Sequence, residues 1–142
     1  MKVRITRLDP SVEIPEYKSA GAAAFDLASC EDATIAPRSL AILPTGLIIA
    51  TPPGHVLILA ARSSLFKKKG LMMANGIGVV DSDYCGPTDQ VHLALYNPGD
   101  QEVKVEKGER LVQGMIVPVI KAEFEEGQPL NNESRGGFGS TG

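Results

Sequence analysis

Glycine and proline divide this chain into short apolar runs, and this punctuation limits the folds that it can adopt. The 142 residues include 15 glycines and 10 prolines. Residues 90–97 alternate, with Val91, Leu93 and Leu95 on one side, and the turn sequence NPGD follows at 97–100. Such alternation next to turn residues is typical of half-buried strands. We therefore predict about eight to ten short strands in a sandwich, barrel or jelly roll.

One segment and the tail depart from this strand pattern. Residues 63–69 are the only stretch with a helical pattern, with Ser63 or Ser64 as its cap and a stop at Gly70. From residue 127 onward the chain is polar, glycine-rich and almost without core-forming side chains. We therefore expect one all-β domain over residues 1–126 and a flexible C-terminal tail over residues 127–142.

Composition and charge argue against several classes of protein. A formal net charge of −3 gives no broad cationic surface for nucleic acid, and the lysines at 67–69 are interpreted as a solvated face. Cys30 and Cys85 form no paired motif and there are two histidines, so a zinc site is not indicated. No apolar run approaches the roughly 20 residues of a membrane span, and the start shows no secretory signal. We expect a soluble, cytoplasmic protein that binds neither nucleic acid nor membranes.

The segment ARSSL at 61–65 follows an apolar strand and opens the short helix. A junction between strand and helix leaves backbone N–H groups free, and the helix dipole favours an anion there. Arg62 adds a forked donor and Ser63 a hydroxyl, both of which suit phosphate oxygens. Two interpretations stay open from this segment alone: a phosphate-binding junction, or a capped surface helix with a solvated arginine.

Residues 75–84 read NGIGVVDSDY and predict a tight hairpin whose backbone can approach a ligand closely. Asp81 ends an apolar stretch, where a carboxylate is costly unless it is paired or used. Such a carboxylate can orient and deprotonate a water molecule, or it can be a structural acceptor beside a turn. The segment alone does not decide between these two roles.

The chain closes with RGGFGSTG at 135–142. Glycine-rich polar tails are usually linkers. A lone ring, an arginine and two hydroxyls among glycines also suit a lid over a nucleotide, because a lid that orders on binding excludes water and strengthens electrostatic contacts. The sequence of the tail leaves both interpretations open.

Taken together, these segments resemble the trimeric dUTPase family, whose five ordered motifs all have counterparts here. The first counterpart is AGAAAFDL at 20–27, and the second begins with RSSL at 62–65 and extends to GL at 70–71. The third is the stretch 75–86, which contains DSDY. The fourth is GERLVQ at 108–113, and the fifth is the tail at 135–142. The resemblance covers nearly the whole chain. Its specificity comes from five motifs in order rather than from any single one.

The resemblance implies a distorted jelly-roll (β-clip) subunit in a homotrimer. It implies hydrolysis of dUTP to dUMP and pyrophosphate by in-line attack of water on the α-phosphorus, which limits uracil incorporation into DNA and supplies dUMP. Three active sites are implied to be shared among the subunits, each closed by the tail of a neighbouring chain. The implied cofactor is Mg²⁺, held mainly by the substrate triphosphate.

Catalysis and phosphate binding are assigned by the resemblance to residues of all five motifs. Asp81 is implied as the base that positions water for attack. In phosphoryl transfer, positioning and charge stabilisation account for most of the lowering of the activation barrier. Asp26 is implied to support the Mg²⁺ and phosphate region through water. The residues implied at the phosphates are Arg62, Ser63, Ser64, Gln113, Arg135, Gly139, Ser140 and Thr141.

Selectivity for deoxyuridine is assigned mainly to the segment that begins at Asn75. Phe138 is implied to stack on uracil, and Tyr84 to pack under the deoxyribose and clash with a 2′-hydroxyl. A tight turn leaves no room for the C5 methyl of thymine, and its fixed donors and acceptors are mismatched to cytosine. The groups implied to hydrogen-bond uracil are Asn75 and the backbone of Gly78, Val79 and Val80.

Three departures from the family pattern affect these assignments. Position 64 is serine where the family usually has glycine. Residues 87–90 lengthen the connection to the next strand, which leaves open whether His92 makes the main-chain contact expected near the start of that strand. In the tail, Arg135 lies closer to Phe138 than usual, so the phosphate oxygen that Arg135 reaches is not fixed.

Two other functions fit parts of the sequence. The related dCTP deaminases, including relatives that combine deamination with hydrolysis, share the sequence RSSL. They need a glutamate in the strand after the hairpin, about where this chain has Ala94. A non-catalytic nucleotide-sensing module on the same fold is the second alternative. The presence of Asp81, Tyr84 and Phe138 argues against it. We therefore expect an enzyme, a dUTP diphosphatase.

Overall fold

A computed structural model describes residues 1–137 and 139 of the chain. Within these residues the chain forms eleven β-strands and one short α-helix, which confirms the all-β class. The number of strands exceeds the predicted range because several strands are only two or three residues long. The elements are β1 (Arg4–Arg7), β2 (Phe25–Ala28), β3 (Ala33–Ile35), β4 (Ser39–Pro44), β5 (Leu47–Ala50), β6 (His55–Ala61), α1 (Leu65–Lys69), β7 (Met72–Met73), β8 (Ile77–Val80), β9 (His92–Asn97), β10 (Val103–Val105) and β11 (Arg110–Pro118).

The strands form four antiparallel sheets around one core. The larger two are a four-stranded sheet in the order β2-β11-β6-β8 and a three-stranded sheet in the order β4-β9-β7. Two-stranded ribbons, β1-β5 and β10-β3, complete the structure. Strands that neighbour each other in space are mostly distant in sequence, as in a jelly roll. This arrangement brings the motif segments of β2, β6, β8 and β11 into a single sheet.

The core is built from the inward faces of the two larger sheets, with buried residues of both ribbons and of α1. The predicted alternation of β9 is confirmed, since Val91, Leu93 and Leu95 are buried whereas His92 on the other face is exposed. Full burial of a leucine side chain contributes about 1.5–3 kcal/mol relative to exposure. The core therefore fixes which residues of each strand face outward, and with them the candidate site.

Large and small residues alternate in one buried row of the four-stranded sheet. The row runs Phe25, Gly114, Leu59, Gly78 across β2, β11, β6 and β8. A Cβ at Gly114 would lie 2.8 Å from a ring carbon of Phe25, and a Cβ at Gly78 would lie 3.0 Å from the Cβ of Leu59. Both glycines therefore make room for a large cross-strand neighbour. Gly78 in particular is explained by packing.

The one helix among the described residues follows β6 directly. Ser64 is its N-cap but makes no side-chain capping bond, so its hydroxyl is not used by the helix. Gly70 ends the helix as predicted, with φ of 68° and its N–H on the carbonyl oxygen of Phe66 at 2.8 Å. This left-handed backbone favours glycine. The lysines at 67–69 occupy the last turn, where cations complement the helix dipole.

The turn at Asn75 and Gly76 does not close a hairpin, and that prediction is wrong. β7 before the turn pairs with β9, whereas β8 after it pairs with β6. The segment is therefore a corner at which the chain passes from the three-stranded to the four-stranded sheet. Gly76 has φ of 70°, and the bonds from Gly76 N–H to Met73 O and from Ile77 N–H to Asn75 O measure 3.2 and 2.8 Å. The local turn signal was correct, but it carries no information about which strands pair.

The last strand ends at Pro118, and the rest of the described chain is exposed. Val119 N–H donates to Gly54 O at 2.8 Å, and the described residues after it lie at the surface. The division of the chain at residue 126 stays a prediction. Among the described residues, none of the helices has the length and apolar character needed to span a membrane.

Candidate active site

A carboxylate between two arginines forms the centre of the predicted phosphate region. Asp26 lies on β2, and its Oδ1 is 2.9 Å from Nε of Arg62 while its Oδ2 is 3.6 Å from Nη1 of Arg110. The Asp26 side chain is 17% exposed. In partly buried surroundings an arginine paired with a carboxylate is held in a defined direction. We call Asp26, Arg62 and Arg110 the arginine cluster.

Arg62 is held by main-chain contacts as well as by Asp26. Its backbone N–H donates to Leu111 O at 3.2 Å, and its side-chain Nη1 donates to Arg110 O at 2.9 Å. These contacts use Nε and one N–H of Nη1, so the other guanidinium N–H groups stay available to a ligand. Contacts from β2 and β11 thus fix the direction of this one donor group.

Gln113 lies beside the arginine cluster in the same sheet. It pairs with Asp26 on one side and with Ala60 on the other, and its Nε2 donates to Ala61 O at 3.1 Å. The side-chain amide is therefore oriented by β6 and keeps a second N–H for another partner. Ser63, which follows Arg62 in the sequence, is exposed, and Ser64 is half-buried.

Arg110 is the residue of this region that sequence reasoning missed. It lies within the fourth motif segment but was given no role. β11 pairs with β2, and the register shifts between Arg110 and Val112. An irregularity of this kind re-aims a side chain, but it cannot be seen in a single sequence.

The predicted uracil-reading segment lies along the free edge of the four-stranded sheet. β8 pairs with β6 on one side, and no other strand of residues 1–137 and 139 pairs with its outer side. An edge strand presents unpaired N–H and C=O groups at every second residue. Val79 is 60% exposed and Asn75 is exposed at the corner. The edge therefore offers backbone donors and acceptors, although Gly78 itself is buried against Leu59.

Asp81 follows β8 in a compact loop and is exposed in the single chain. Because Asp81 is exposed, its carboxylate does not bear within the single chain the free-energy cost of burial that the sequence predicted. Tyr84 N–H donates to Asp81 O at 3.2 Å, and Cys85 N–H donates to Asp83 O at 2.9 Å. These bonds curl the loop so that Tyr84, 40% exposed, returns toward the start of β9. His92 is exposed at that start, opposite Pro44.

One row across the sheet relates the two halves of the candidate site. Asp26, Gln113, Ala60 and Ile77 stand side by side on the outer face of β2, β11, β6 and β8. Three strand spacings separate the ends of the row, roughly 14 Å. Among the described residues, no hydrogen bond or ion pair joins the arginine cluster to residues 75–84. A single chain thus presents the predicted phosphate side and the predicted base side on one face without a direct contact between them.

A cleft of about 900 Å³ opens beside the arginine cluster. Asp26 and Arg110 line it, together with Lys18, Lys107 and Arg7. None of the predicted base-contacting residues lines it. The carboxylates of Glu13 and Glu16 line the cleft as well, and Glu16 pairs with Lys18, so its charge is mixed. The missing base side must come from elsewhere if a nucleotide is to fill this cleft.

The described residues do not form a metal cage of their own. In that part of the chain no group of three or more His, Cys, Asp or Glu side chains could hold a metal ion. Both oxygens of Asp26 face arginines, yet each carboxylate oxygen can still accept a hydrogen bond from water. Mg²⁺ usually keeps several waters and takes one or two carboxylates plus substrate phosphates. The residues present therefore fit an indirect role for Asp26 rather than direct ligation.

The tail residues are placed only in part. Arg135 is exposed, and Gly139 lies in a turn with φ of 91°. The predicted contacts of Phe138, Ser140 and Thr141 lie outside the described residues. The roles of the tail therefore stay predictions.

Comparisons with known proteins agree with the fold and the motif order. The family model described as dUTPase matches residues 10–142. The chain is 38% identical to the deoxyuridine 5'-triphosphate nucleotidohydrolase of Helicobacter pylori (strain P12) over 144 residues, which covers 100% of this chain and 97% of that protein.

Solved structures give the same result in three dimensions. The dUTPase from Streptococcus mutans has a TM-score of 0.79 at 32% identity, covering 87% of this chain and 100% of that one. The Staphylococcus bacteriophage 80alpha dUTPase with dUPNHPP has a TM-score of 0.86 at 23% identity, covering 99% and 98%. The first supports kinship as well as fold, and the second supports the fold alone.

Proposed function

Because the chain belongs to the dUTPase family and hydrolyses dUTP to dUMP and pyrophosphate, we propose how its own residues carry out this reaction. The observation that supports the scheme best is the arginine cluster, which holds two guanidinium groups on the outer face of the sheet with one carboxylate between them. Guanidinium groups fixed in this way suit the oxygens of a triphosphate.

The phosphate side consists of the arginine cluster, Gln113 and the start of α1. Arg62 and Gln113 each keep N–H groups that no described residue uses, and Ser63 and Ser64 have hydroxyls without a capping role. These donors would bind phosphate oxygens. Asp26 would hold Arg62 in position and accept a hydrogen bond from a water on the metal. Mg²⁺, bound mainly by the triphosphate, would neutralise charge that develops on the phosphate oxygens.

Asp81 is the proposed general base. Its carboxylate is exposed at the end of β8, where it can accept a proton from a water aligned with the α-phosphorus. The water oxygen forms the new P–O bond as the bond to the bridging oxygen between the α- and β-phosphorus breaks. Pyrophosphate leaves with the electron pair of that bond. Positioning and electrostatic stabilisation supply most of the rate enhancement in this class of reaction.

The free edge of β8 and the corner at Asn75 are the proposed uracil-reading surface. Backbone groups of Gly78, Val79 and Val80 would bind the edge of uracil as an added strand binds a sheet edge. Fixed donors and acceptors reject cytosine strongly, because a mismatch leaves buried polar groups unpaired. Tyr84 would pack under the deoxyribose and exclude a 2′-hydroxyl. His92 is proposed to contribute a main-chain contact at the start of β9.

A homotrimer with shared sites would bring the two halves together. One subunit separates its phosphate side from its base side by a row of strands, and the cleft beside the arginine cluster lacks base-contacting residues. A neighbouring subunit that supplies residues 75–84 would complete the cleft. The tail would then close the site, with Phe138 on uracil and Arg135, Gly139, Ser140 and Thr141 at the outer phosphates. A cytoplasmic location stays a prediction from the sequence.

A structure with a non-hydrolysable dUTP analogue tests this assignment of residues. We expect the base at β8, the phosphates at Arg62 and Gln113, and the Asp81 carboxylate within hydrogen-bond reach of a water beside the α-phosphorus. An analogue bound with Asp81 far from the α-phosphorus, or with its base away from β8, would overturn the scheme.

A further inference from the structure

The segment that lengthens the connection after Gly86 is built into the structure rather than looped out. Asp89 Oδ2 accepts the N–H of Gly86 at 2.7 Å, and Asp89 N–H donates to Gly86 O at 3.2 Å. A Cβ at Gly86 would lie 2.8 Å from Asp89 Oδ2, so a side chain there would displace the Asp89 carboxylate from this bond. Residues 87–90 thus form a closed turn that fixes the position of Gln90.

Gln90 is anchored to a turn in the core. Its Oε1 accepts the N–H of Gly46 at 2.9 Å. Gly46 is buried with φ of 69°, and a Cβ there would lie 2.8 Å from Cγ2 of Val12 and 3.4 Å from Cβ of Cys30. The turn therefore has little freedom to move, and neither has the side chain bound to it.

The backbone that follows Gln90 is fixed to the same turn. Thr45 is 1% exposed, and its Oγ1 donates to Val91 O at 2.7 Å and accepts the N–H of Leu47 at 3.2 Å. Val91 N–H donates to Leu47 O at 2.8 Å. Buried hydrogen bonds of this kind are costly to break. Side chain and backbone together hold the Gln90 carbonyl in one position.

That carbonyl is the partner of the proposed sugar-contacting residue. Tyr84 Oη donates to Gln90 O at 3.3 Å. The Tyr84 ring is 40% exposed and is not part of the hydrophobic core, so a bond at its far end contributes to its orientation. We propose that Gln90 is a positioning residue that sets the orientation of Tyr84 and thereby the preference for deoxyribose over ribose. This inference rests on the proposed role of Tyr84 in the site described above.

The test measures the ratio of kcat/KM for dUTP to kcat/KM for UTP in the full-length protein. Gln90→Met keeps the length of the side chain but removes the acceptor for Gly46, whereas Gln90→Glu keeps an acceptor. Thr88→Ala is the matched control, because Thr88 contributes only its carbonyl oxygen, to Gln90 N–H at 2.9 Å. We expect the ratio to fall about fivefold in Gln90→Met, the usual scale for one hydrogen bond. It should stay within about twofold in Gln90→Glu and in the control.

A double variant separates positioning from simple destabilisation. Tyr84→Phe should lower the ratio by itself, and adding Gln90→Met to it should lower the ratio no further, because both changes act through one contact. Thermal unfolding of each variant shows whether the fold is retained. Equal losses on dUTP and UTP in Gln90→Met, with an unchanged ratio, would mean that Gln90 is only structural and would overturn the proposal.

The wild-type ratio distinguishes this failure from a failure of the proposed function. A wild-type protein that strongly prefers dUTP, combined with an unchanged ratio in Gln90→Met, refutes the role of Gln90 and leaves the proposed function intact. A wild-type protein without preference refutes the sugar-contacting role of Tyr84, and the role of Gln90 with it.

Discussion

Nε of Arg62 lies 2.9 Å from Oδ1 of Asp26, and Nη1 of the same guanidinium donates to Arg110 O at 2.9 Å. The carboxylate is therefore a structural partner of the arginine that we propose binds phosphate. A group held by such bonds needs little reorganisation when it meets a charged ligand. We therefore propose that Asp26 supports catalysis in this chain by orienting Arg62.

Removing the charge of Asp26 should therefore impair catalysis more than it impairs folding. In Asp26→Asn we expect kcat/KM for dUTP to fall about thirtyfold, within the range for loss of a hydrogen bond between charged groups. Steady-state pyrophosphate release provides the measurement. Asp100→Asn removes the same charge from an exposed turn and should leave kcat/KM unchanged. If both variants behaved alike, the contact between Asp26 and Arg62 would have no part in catalysis.

Asp81→Asn should retain dUTP binding while losing turnover. A general base typically contributes at least about a hundredfold, so kcat should fall by that factor or more, with dUTP affinity changed only a few-fold. Asp83→Asn is a matched control, because Asp83 is also exposed in the loop and contributes its carbonyl oxygen to Cys85 N–H. Turnover near that of the wild type in Asp81→Asn would refute the assignment of the base.

Deleting residues 136–142 should remove most activity without changing the oligomeric state. The described residues after Val119 are exposed, so their loss removes little packing within the subunit. A tail that closes the site contributes by excluding water and by holding the outer phosphates. Light scattering reports the oligomer and pyrophosphate release reports the activity. Full activity of the truncated protein would show that the tail is only a linker.

The two cysteines should differ in reactivity. Burial, assisted by the neighbouring charge of Glu31, raises the pKa of the Cys30 thiol, whereas Cys85 is exposed. The thiolate is the nucleophile, and a raised pKa means that less thiolate is present at a given pH. Iodoacetamide near neutral pH should therefore modify Cys85 first, and Cys30 should need a higher pH.

Peptide mass spectrometry measures both cysteines in one sample. Unfolding in urea serves as the control, since the two thiols should then react at similar rates. Equal modification of Cys30 and Cys85 in the folded protein would show that burial does not protect Cys30.

Local patterns predicted the elements well. The alternation of β9 and the glycine at position 70 both depend on neighbours in sequence, and both predictions are confirmed. The corner at Asn75 was predicted as a hairpin, because an Asn-Gly turn is compatible both with a hairpin and with a corner between two sheets. Pairing of β7 with β9 and of β8 with β6 is decided by contacts between distant segments.

The candidate site shows the same limit. The resemblance to the dUTPase family selected Asp26, Arg62 and Gln113, which the structure places close together. The sequence could not show that Asp26 and Arg62 form an ion pair, or that the register shift on β11 brings Arg110 to the same carboxylate. These relations arise from the pairing of β11 with both β2 and β6, which no local pattern encodes.

Substrate selectivity is the most direct test of the central claim, which is that a sheet edge reads uracil beside a site that hydrolyses the triphosphate. The measurement is pyrophosphate release from dUTP, dTTP, dCTP and UTP in the presence of Mg²⁺. We predict rapid release from dUTP and at least about a hundredfold lower kcat/KM for the other three nucleotides. Comparable release from dCTP or dTTP, or tight dUTP binding without any release, would contradict the account.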